Sequence, residues 1–408
     1  MAEANEDALV EEGALPPSDF HDAIERLREI ATYELEMPND LEQKLWEQTK
    51  DLVLPTAILK EIASALRVGH VVLQGPPGTG KTSLARAVAK AFNVSTYPVT
   101  AHEDWTIYDV IGRLELRLSK DRKEEIVPVN GAFTEAVIRC GNNIVLHFDD
   151  ATHPQAEWLL IDELNRSRPD KAFGELFTVL GTDELIATNL PHQPIGNKEL
   201  VIPRRFRIIA TLNSYDKQFV QSLSQAIRRR FTFISLDVPE RLPEGKQWAY
   251  DPEDKTISIV EFTKVVDRAA FRVAQRQAPD GSPEVGMLAK AKDQLLKQTV
   301  LLGQLFELIE LVRYAGEGSD LPYLPIGTAQ IIDTLELFLS RLNLEGEAGS
   351  ASNILDWAVS VKIAPLFESD VLTSEQVSKL INKLSTPFSH RTKRELQIIA
   401  AAGIHFVG

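Results

Sequence analysis

The chain has 408 residues, 44% hydrophobic and 25% charged, a balance ordinary for a globular protein with length for two or three domains. Its single cysteine, Cys140, excludes a disulfide framework and a cysteine-based zinc site, and reads as a buried apolar residue. A net charge of −15 gives no general attraction for nucleic-acid backbones, so such contact is expected only locally or through a partner; no leader or long uncharged apolar run points to a membrane, and a cytoplasmic location is expected.

Residues 1–50 read as an N-terminal extension. Residues 1–15 are acidic, Ala-rich and expected to be disordered. Phe20 to Met37 has helical spacing, with Ile24, Leu27, Ala31 and Leu35 on one face. Pro38 interrupts it, and Asn39 or Asp40 caps a second helix running to about Lys50. Residues 55–68 form an amphipathic helix between Pro55 and Gly69. A strand over 70–74, a glycine loop, a helix over 81–92 and a strand near 94–100 follow.

Residues 114–130 alternate, turn polar over Ser119–Glu125 and become apolar again, which predicts a β-hairpin with a charged tip. Its tip, around Lys120, is too polar for a core. After a helix from Gly131 come a buried strand, Trp158–Asp162, a helix over 169–180, a polar hairpin over 184–202 and a strand over 206–211. Strands alternating with helices imply an α/β domain, a parallel sheet with helices on both faces. From Pro239 the chain is linker-like to 255, then helical over 259–277, 285–315, 325–343, 353–367 and 373–385, an all-helical domain.

Four clusters carry chemistry. Gly75-Pro76-Pro77-Gly78-Thr79-Gly80-Lys81-Thr82, followed by Ser83, is a complete phosphate-binding loop, G-x-x-x-x-G-K-[ST], between a strand and a helix. Such a loop turns backbone amides toward a polyphosphate and adds the helix dipole; Lys81 reaches the β- and γ-phosphates and the Thr82 hydroxyl ligates Mg²⁺. Downstream, Leu159-Leu160-Ile161 ends in Asp162, a second Mg²⁺ ligand, and Glu163, placed to polarise the attacking water. Asn213, ending Ala210-Thr211-Leu212, is expected to orient the same water. Arg228, Arg229 and Arg230 stand before the apolar run from Phe231, and a guanidinium there can stabilise a transferring phosphoryl group, often from a neighbouring subunit. His147 and His153 flank Asp149 and Asp150, a set that can hold a metal, but the segment reads first as a link from a strand to the next element.

In this order, GPPGTGKT, LLIDELNR, ATLN and RRRF resemble an AAA+ ATPase. Asp162-Glu163-Leu164-Asn165-Arg166 is similar to the D-E-x-N-R form of the MoxR and McrB branches, and the segments after Asp170 and Gln225 resemble McrB most closely. So does Val361-Lys-Ile-Ala-Pro-Leu-Phe-Glu in the helical region, and the two hairpins match inserts of that branch. The resemblance covers residues 50–370, with its specific motifs in 70–235. It implies an AAA+ core over 51–238 and a helical lid over 239–408. It further implies a ring-forming ATPase using ATP and Mg²⁺, assembled as a homo-oligomer, six-membered in that family. The expected role is the motor of a McrB-like bacterial defence complex with a separate effector such as a nuclease. The alternative is a MoxR-type chaperone with a von Willebrand A-domain partner; the intact Glu163 argues against a non-catalytic scaffold. The sensor strand reads Leu212-Asn213-Ser214-Tyr215-Asp216-Lys217 where McrB-type proteins have M-N-T-A-D-R, so ATP rather than GTP is the expected base. The region Pro325 to Gln330 corresponds to the lid's phosphate-sensing segment and lacks its arginine.

Overall fold

A computed structural model describes residues 26–118, 124–180, 186–188, 199–214, 223–279, 281–316, 319–346, 349–368 and 372–403. Two compact units emerge. The first takes residues up to Lys50, Thr56–Gln74 and Lys81–Ser235; the second takes Asp51–Pro55, Gly75–Gly80 and everything from Leu236.

The first unit opens with helices α1 (Leu41–Thr49) and α2 (Thr56–Val68), then strand β1 (His70–Gly75), helix α3 (Lys81–Ala91) and strand β2 (Ser95–Thr100). A short helix α4 (Ile107–Val110) precedes the hairpin β3 (Gly112–Leu118) and β4 (Glu124–Asn130). Helix α5 (Ala132–His147), strand β5 (Glu157–Asp162), helix α6 (Pro169–Phe173) and a small hairpin of β6 (Ile186–Thr188) and β7 (Glu199–Val201) follow. Strand β8 (Ile208–Asn213), helix α7 (Gln225–Arg230) and strand β9 (Phe231–Ser235) complete it.

The five main strands lie in the order β2-β5-β8-β1-β9, and β2 with β5, β5 with β8, and β1 with β9 run parallel. Val71, Val72 and Leu73 are fully buried, as are Leu159 and Ile208, which is the pattern of strands covered on both faces. Phe92, Phe133, Trp158 and Phe206 are the large aromatic side chains of this core, and the Trp158 indole donates to the Arg205 carbonyl at 2.9 Å. Cys140 is buried on α5, and burial pushes its thiol up to about 12.

The larger hairpin forms as expected, with Leu116 opposite Ile126, and both side chains exposed. Its tip, residues 119–123, lies outside the described residues, as do residues 1–25, the link between β6 and β7, and Tyr215 to Lys217. The helix expected over 20–37 is helical in its described part only over 26–30. Beyond that the backbone bonds elsewhere: Glu36 exchanges hydrogen bonds of 2.8 and 2.9 Å with the Gln155 amide, and the Ala31 carbonyl accepts from Arg204 N. Tertiary partners outweigh helical spacing there. A helix, not a strand, precedes the His147 segment, since α5 runs through the whole apolar stretch.

The second unit contains α8 (Ile257–Gln277), α9 (Val285–Leu296), α10 (Thr299–Arg313), α11 (Thr328–Glu345), α12 (Ala351–Lys362), α13 (Ser374–Lys383) and α14 (Arg391–Gly403). The single helix expected over 285–315 is two: the first closes with Gln298 N donating to the Leu295 carbonyl at 2.9 Å, and the Thr299 hydroxyl, at the start of the second, donates to the Leu296 carbonyl at 2.5 Å. The helix expected to 367 stops at Lys362, and Pro365 starts a separate single turn, Ala364–Phe367. Among the described residues, no helix is long and apolar enough to cross a membrane.

Candidate functional site

Strands β5 and β8 are neighbours, and each buries five residues before ending in a half-exposed polar one, Asp162 and Asn213. Ligands of open parallel sheets bind at such carboxyl ends, where the strand order reverses. Asp162 Oδ1 accepts from the Thr82 hydroxyl at 2.7 Å and from the Thr211 hydroxyl at 2.5 Å. The second residue of α3 and the end of β5 therefore converge. A hydroxyl and a carboxylate side by side are hard oxygen donors of the kind Mg²⁺ takes, and they fit that ion.

Glu163 follows in the left-handed conformation, φ 54° and ψ 48°. A non-glycine residue held there costs of order 1–3 kcal/mol, and such strain concentrates at functional positions. Its amide donates to the Thr211 hydroxyl at 2.9 Å, and its carboxylate pairs with Arg166 at 2.6 Å. Buried Asn165 accepts from the backbone N–H of Asn213 at 3.1 Å and ties the turn after β5 to the end of β8. The side-chain oxygen of Asn213 is buried without a hydrogen-bond partner among the described residues. An unmet acceptor of this kind costs about 1–3 kcal/mol, so its retention calls for a ligand or water.

Lys81 opens α3 in the same unit. Burial pushes its ammonium down to about 8, against the pull of the Asp162 and Glu163 carboxylates. Ser83 continues the first turn, exposed.

The loop itself, Gly75 to Gly80, groups with the second unit. Gly80 has φ +84° and Gly78 φ +77°, the left-handed region that glycine adopts without strain. A Cβ on Gly78 would also stand 1.9 Å from Gln330 Oε1. The Gly78 carbonyl accepts from Ala329 N at 3.0 Å, and Gly327 lies so close to Pro77 that a side chain there would meet its carbonyl at 2.3 Å. The start of α11, the segment lacking an arginine, thus rests on the loop. Gln330 Oε1 is buried with no partner among the described residues. Beneath it, Arg313 and Glu261 form a buried two-pronged ion pair at 2.7 and 2.8 Å. Arg313 Nε donates to the Ile326 carbonyl at 2.6 Å and the Thr328 hydroxyl donates to Glu261 at 2.7 Å, so the pair props the segment on the loop.

The three arginines end α7, which is capped by the Ser224 hydroxyl. Successive helical residues point about 100° apart, and the structure separates them accordingly. Arg230 donates to the carbonyls of Phe177 and Ala226 and covers the Phe177 ring, a structural attachment. Arg228 lies over the Phe233 ring at 5.5 Å. The Arg229 side chain is exposed and has no hydrogen bond, ion pair or ring contact among the described residues. Of the three, it is the one left available to another molecule.

The residues singled out in sequence gather as Lys81, Thr82, Asp162, Glu163 and Asn213 within one unit. What the sequence reading did not assign are Thr211, Asn165 and Arg166, which orient them. A threonine inside an otherwise apolar buried strand was the available signal for Thr211.

Residues 70–231 match the model of the AAA domain, dynein-related subfamily. The chain is 26% identical over 205 residues to the type IV methyl-directed restriction enzyme EcoKMcrB subunit of Escherichia coli K12, covering 47% of this chain and 41% of that protein. It is 26% identical over 202 residues to the chaperone MoxR1 of Mycobacterium tuberculosis, covering 49% and 45%. It is 26% identical over 195 residues to NorQ of Paracoccus denitrificans, covering 47% and 62%. The matched part thus spans only about 41 to 62% of these relatives. The loop, the Asp162–Glu163 strand end and the neighbouring Asn213 all fall within residues 70–231, which match an AAA domain, and over this part the chain is similar, at low identity, to proteins of the MoxR/McrB branch of the AAA+ ATPases.

Proposed function

We propose that this chain hydrolyses ATP with Mg²⁺ and works in a ring of like copies, six by resemblance, that drives a separate effector protein. The observation that supports the chemistry best is the meeting of Thr82 and Asp162 at 2.7 Å beside the buried, unpartnered Asn213 oxygen. In this reading, Lys81 and the backbone amides of the first turn of α3 bind the phosphates. Mg²⁺, held by Thr82 and Asp162, offsets charge on the phosphates when bound. Asn213 accepts a hydrogen bond from the attacking water and fixes its direction. Glu163 takes the proton as the water oxygen bonds to the γ-phosphorus and the bond to ADP breaks. Arg229 of a neighbouring copy faces the departing charge.

The effector's identity follows the relatives. Similarity to the restriction-enzyme subunit favours a defence complex in which this chain is the motor. A chaperone role with an A-domain partner is the second reading, supported by an identity to MoxR1 equally of 26%. A membrane role and a general nucleic-acid role have no support in the composition.

The experiment is binding and turnover of ATP and GTP, with and without Mg²⁺, from pH 7 to 10. Turnover is expected with ATP and Mg²⁺ and to be lower with GTP. Bound polyphosphate raises the Lys81 pKa above its free value of about 8, so binding takes up a proton above that pH. Affinity is therefore flat below about 8 and falls above it, by at most about tenfold per pH unit. An affinity constant up to pH 10, or turnover without a divalent cation, contradicts these assignments.

A further inference from the structure

We propose that His147, Asp150 and His153 form a binding site for a divalent transition metal of the zinc type, separate from the nucleotide site. His147 is the last residue of α5, and the turn that follows brings the other two beside it. Asp150 N donates to the His147 carbonyl at 3.0 Å and His153 N to the Asp150 carbonyl at 3.1 Å. These two tight turns put residues three apart on one side of the chain. The imidazoles of His147 and His153 lie face to face, their centroids 3.8 Å apart and their planes within 1°. One ligand atom from each of the three residues lies within 4.8 Å of the others. Donors around tetrahedral zinc stand about 3.3 Å apart when zinc–nitrogen bonds are about 2.0–2.1 Å. Parallel rings cannot both aim a nitrogen at one ion, so binding needs one imidazole to turn out of the stack and the ligand atoms to close by up to about 1.5 Å, and Asp150 and His153, both exposed, are able to supply this.

The carboxylate is already oriented. Thr152 donates to Asp150 Oδ1 through its N–H at 2.9 Å and its hydroxyl at 2.6 Å, while Oδ2 lies 2.8 Å from His153 Nδ1. Outer hydrogen bonds of this kind hold metal-ligating carboxylates in protein sites. The turn is also anchored from outside. Asn93, itself left-handed at φ 55°, donates to the His153 carbonyl at 3.0 Å and accepts from Gln155 N at 2.8 Å. A cavity of about 370 Å³ opens beside the cluster, bounded also by Glu36, Lys44 and Arg205, with room for water on the remaining metal positions. Two imidazoles and one carboxylate suit Zn²⁺ over Mg²⁺ or Ca²⁺, which take oxygen ligands. The cluster precedes the start of β5 at Glu157, whereas Asp162 is at that strand's other end, so zinc here would leave the phosphate site's ligands free.

The test is calorimetric titration of the tag-free full chain with Zn²⁺, in the presence of excess Mg²⁺. One equivalent is expected to bind with a dissociation constant of about 10 µM or tighter. His147→Ala, His153→Ala and Asp150→Asn should each weaken it about tenfold or more. Thermal unfolding without zinc should be unchanged in these variants, which separates lost ligands from lost fold, and Zn²⁺ should raise the unfolding temperature of the wild type alone. No binding tighter than about 1 mM, or equal binding by the His147→Ala/His153→Ala double variant, overturns the site and leaves the cluster a hydrogen-bonded turn.

Discussion

Glu163→Gln is expected to bind ATP as the wild type does and to lose turnover by about a hundredfold or more, the usual worth of a positioned general base. The substitution keeps the size and the hydrogen-bonding capacity of the side chain, so the contact with Arg166 persists in neutral form. It removes only the ability to take a proton. The left-handed backbone at Glu163 is imposed by its neighbours, through the amide bond to Thr211 and the Asn165–Asn213 tie. Folding should therefore survive. Nucleotide binding by fluorescence and phosphate release, measured on one preparation, check this, and wild-type turnover in the variant removes Glu163 from the chemistry.

The second large effect is on stability. Arg313 is 2% exposed and Glu261 1%, and removing one partner leaves a buried charge without compensation. Glu261→Ala is expected to destabilise the second unit by about 3–5 kcal/mol, read from denaturant midpoints. Because Arg313 and Glu261 also hold Ile326 and Thr328, and the adjoining Ala329 bonds Gly78, nucleotide affinity should fall as well. Replacing both partners with methionine should restore most of the stability, since a well-packed apolar pair replaces a buried ion pair at little net cost. A double variant as unstable as the single would show that the charges themselves, and not their pairing, are required.

Much of this was legible in the chain. The phosphate loop, the apolar strand ending in Asp162–Glu163 and the later strand ending in Asn213 are each short patterns readable in sequence, and the fold sets the two strand ends side by side with Thr82 against Asp162. The parallel sheet followed from alternation of strands and helices. What the pattern did not contain were long-range bonds. Nothing local says that Thr211 caps Asp162, or that Gln155 draws Glu36 out of a helix. The arginine run read as one positive cluster, because sequence adjacency hides the turn of a helix; the fold gives Arg230 to Phe177 and leaves Arg229 exposed. The His147 cluster was visible as residue types, but its geometry depends on two backbone turns and a threonine that carry no distinctive spelling.

The central claim is a hydrolytic site that uses Glu163 of one copy and Arg229 of the next. A head-to-tail contact of that kind closes into a ring. The direct measurement is ATP turnover by Arg229→Ala chains, by Glu163→Gln chains, and by an equal mixture of the two. Each alone should be nearly inactive, since an arginine supplied by a neighbour contributes about 10³–10⁵ in rate in related chemistry. In a random mixture, roughly one interface in four joins an intact Glu163 to an intact Arg229, so turnover should recover to roughly a quarter of the wild-type value if interfaces act independently. Activity that returns on mixing, and specific activity that rises with concentration in the wild type, are the predicted results. A mixture no more active than its components, with wild-type activity per chain independent of concentration, would contradict a shared site.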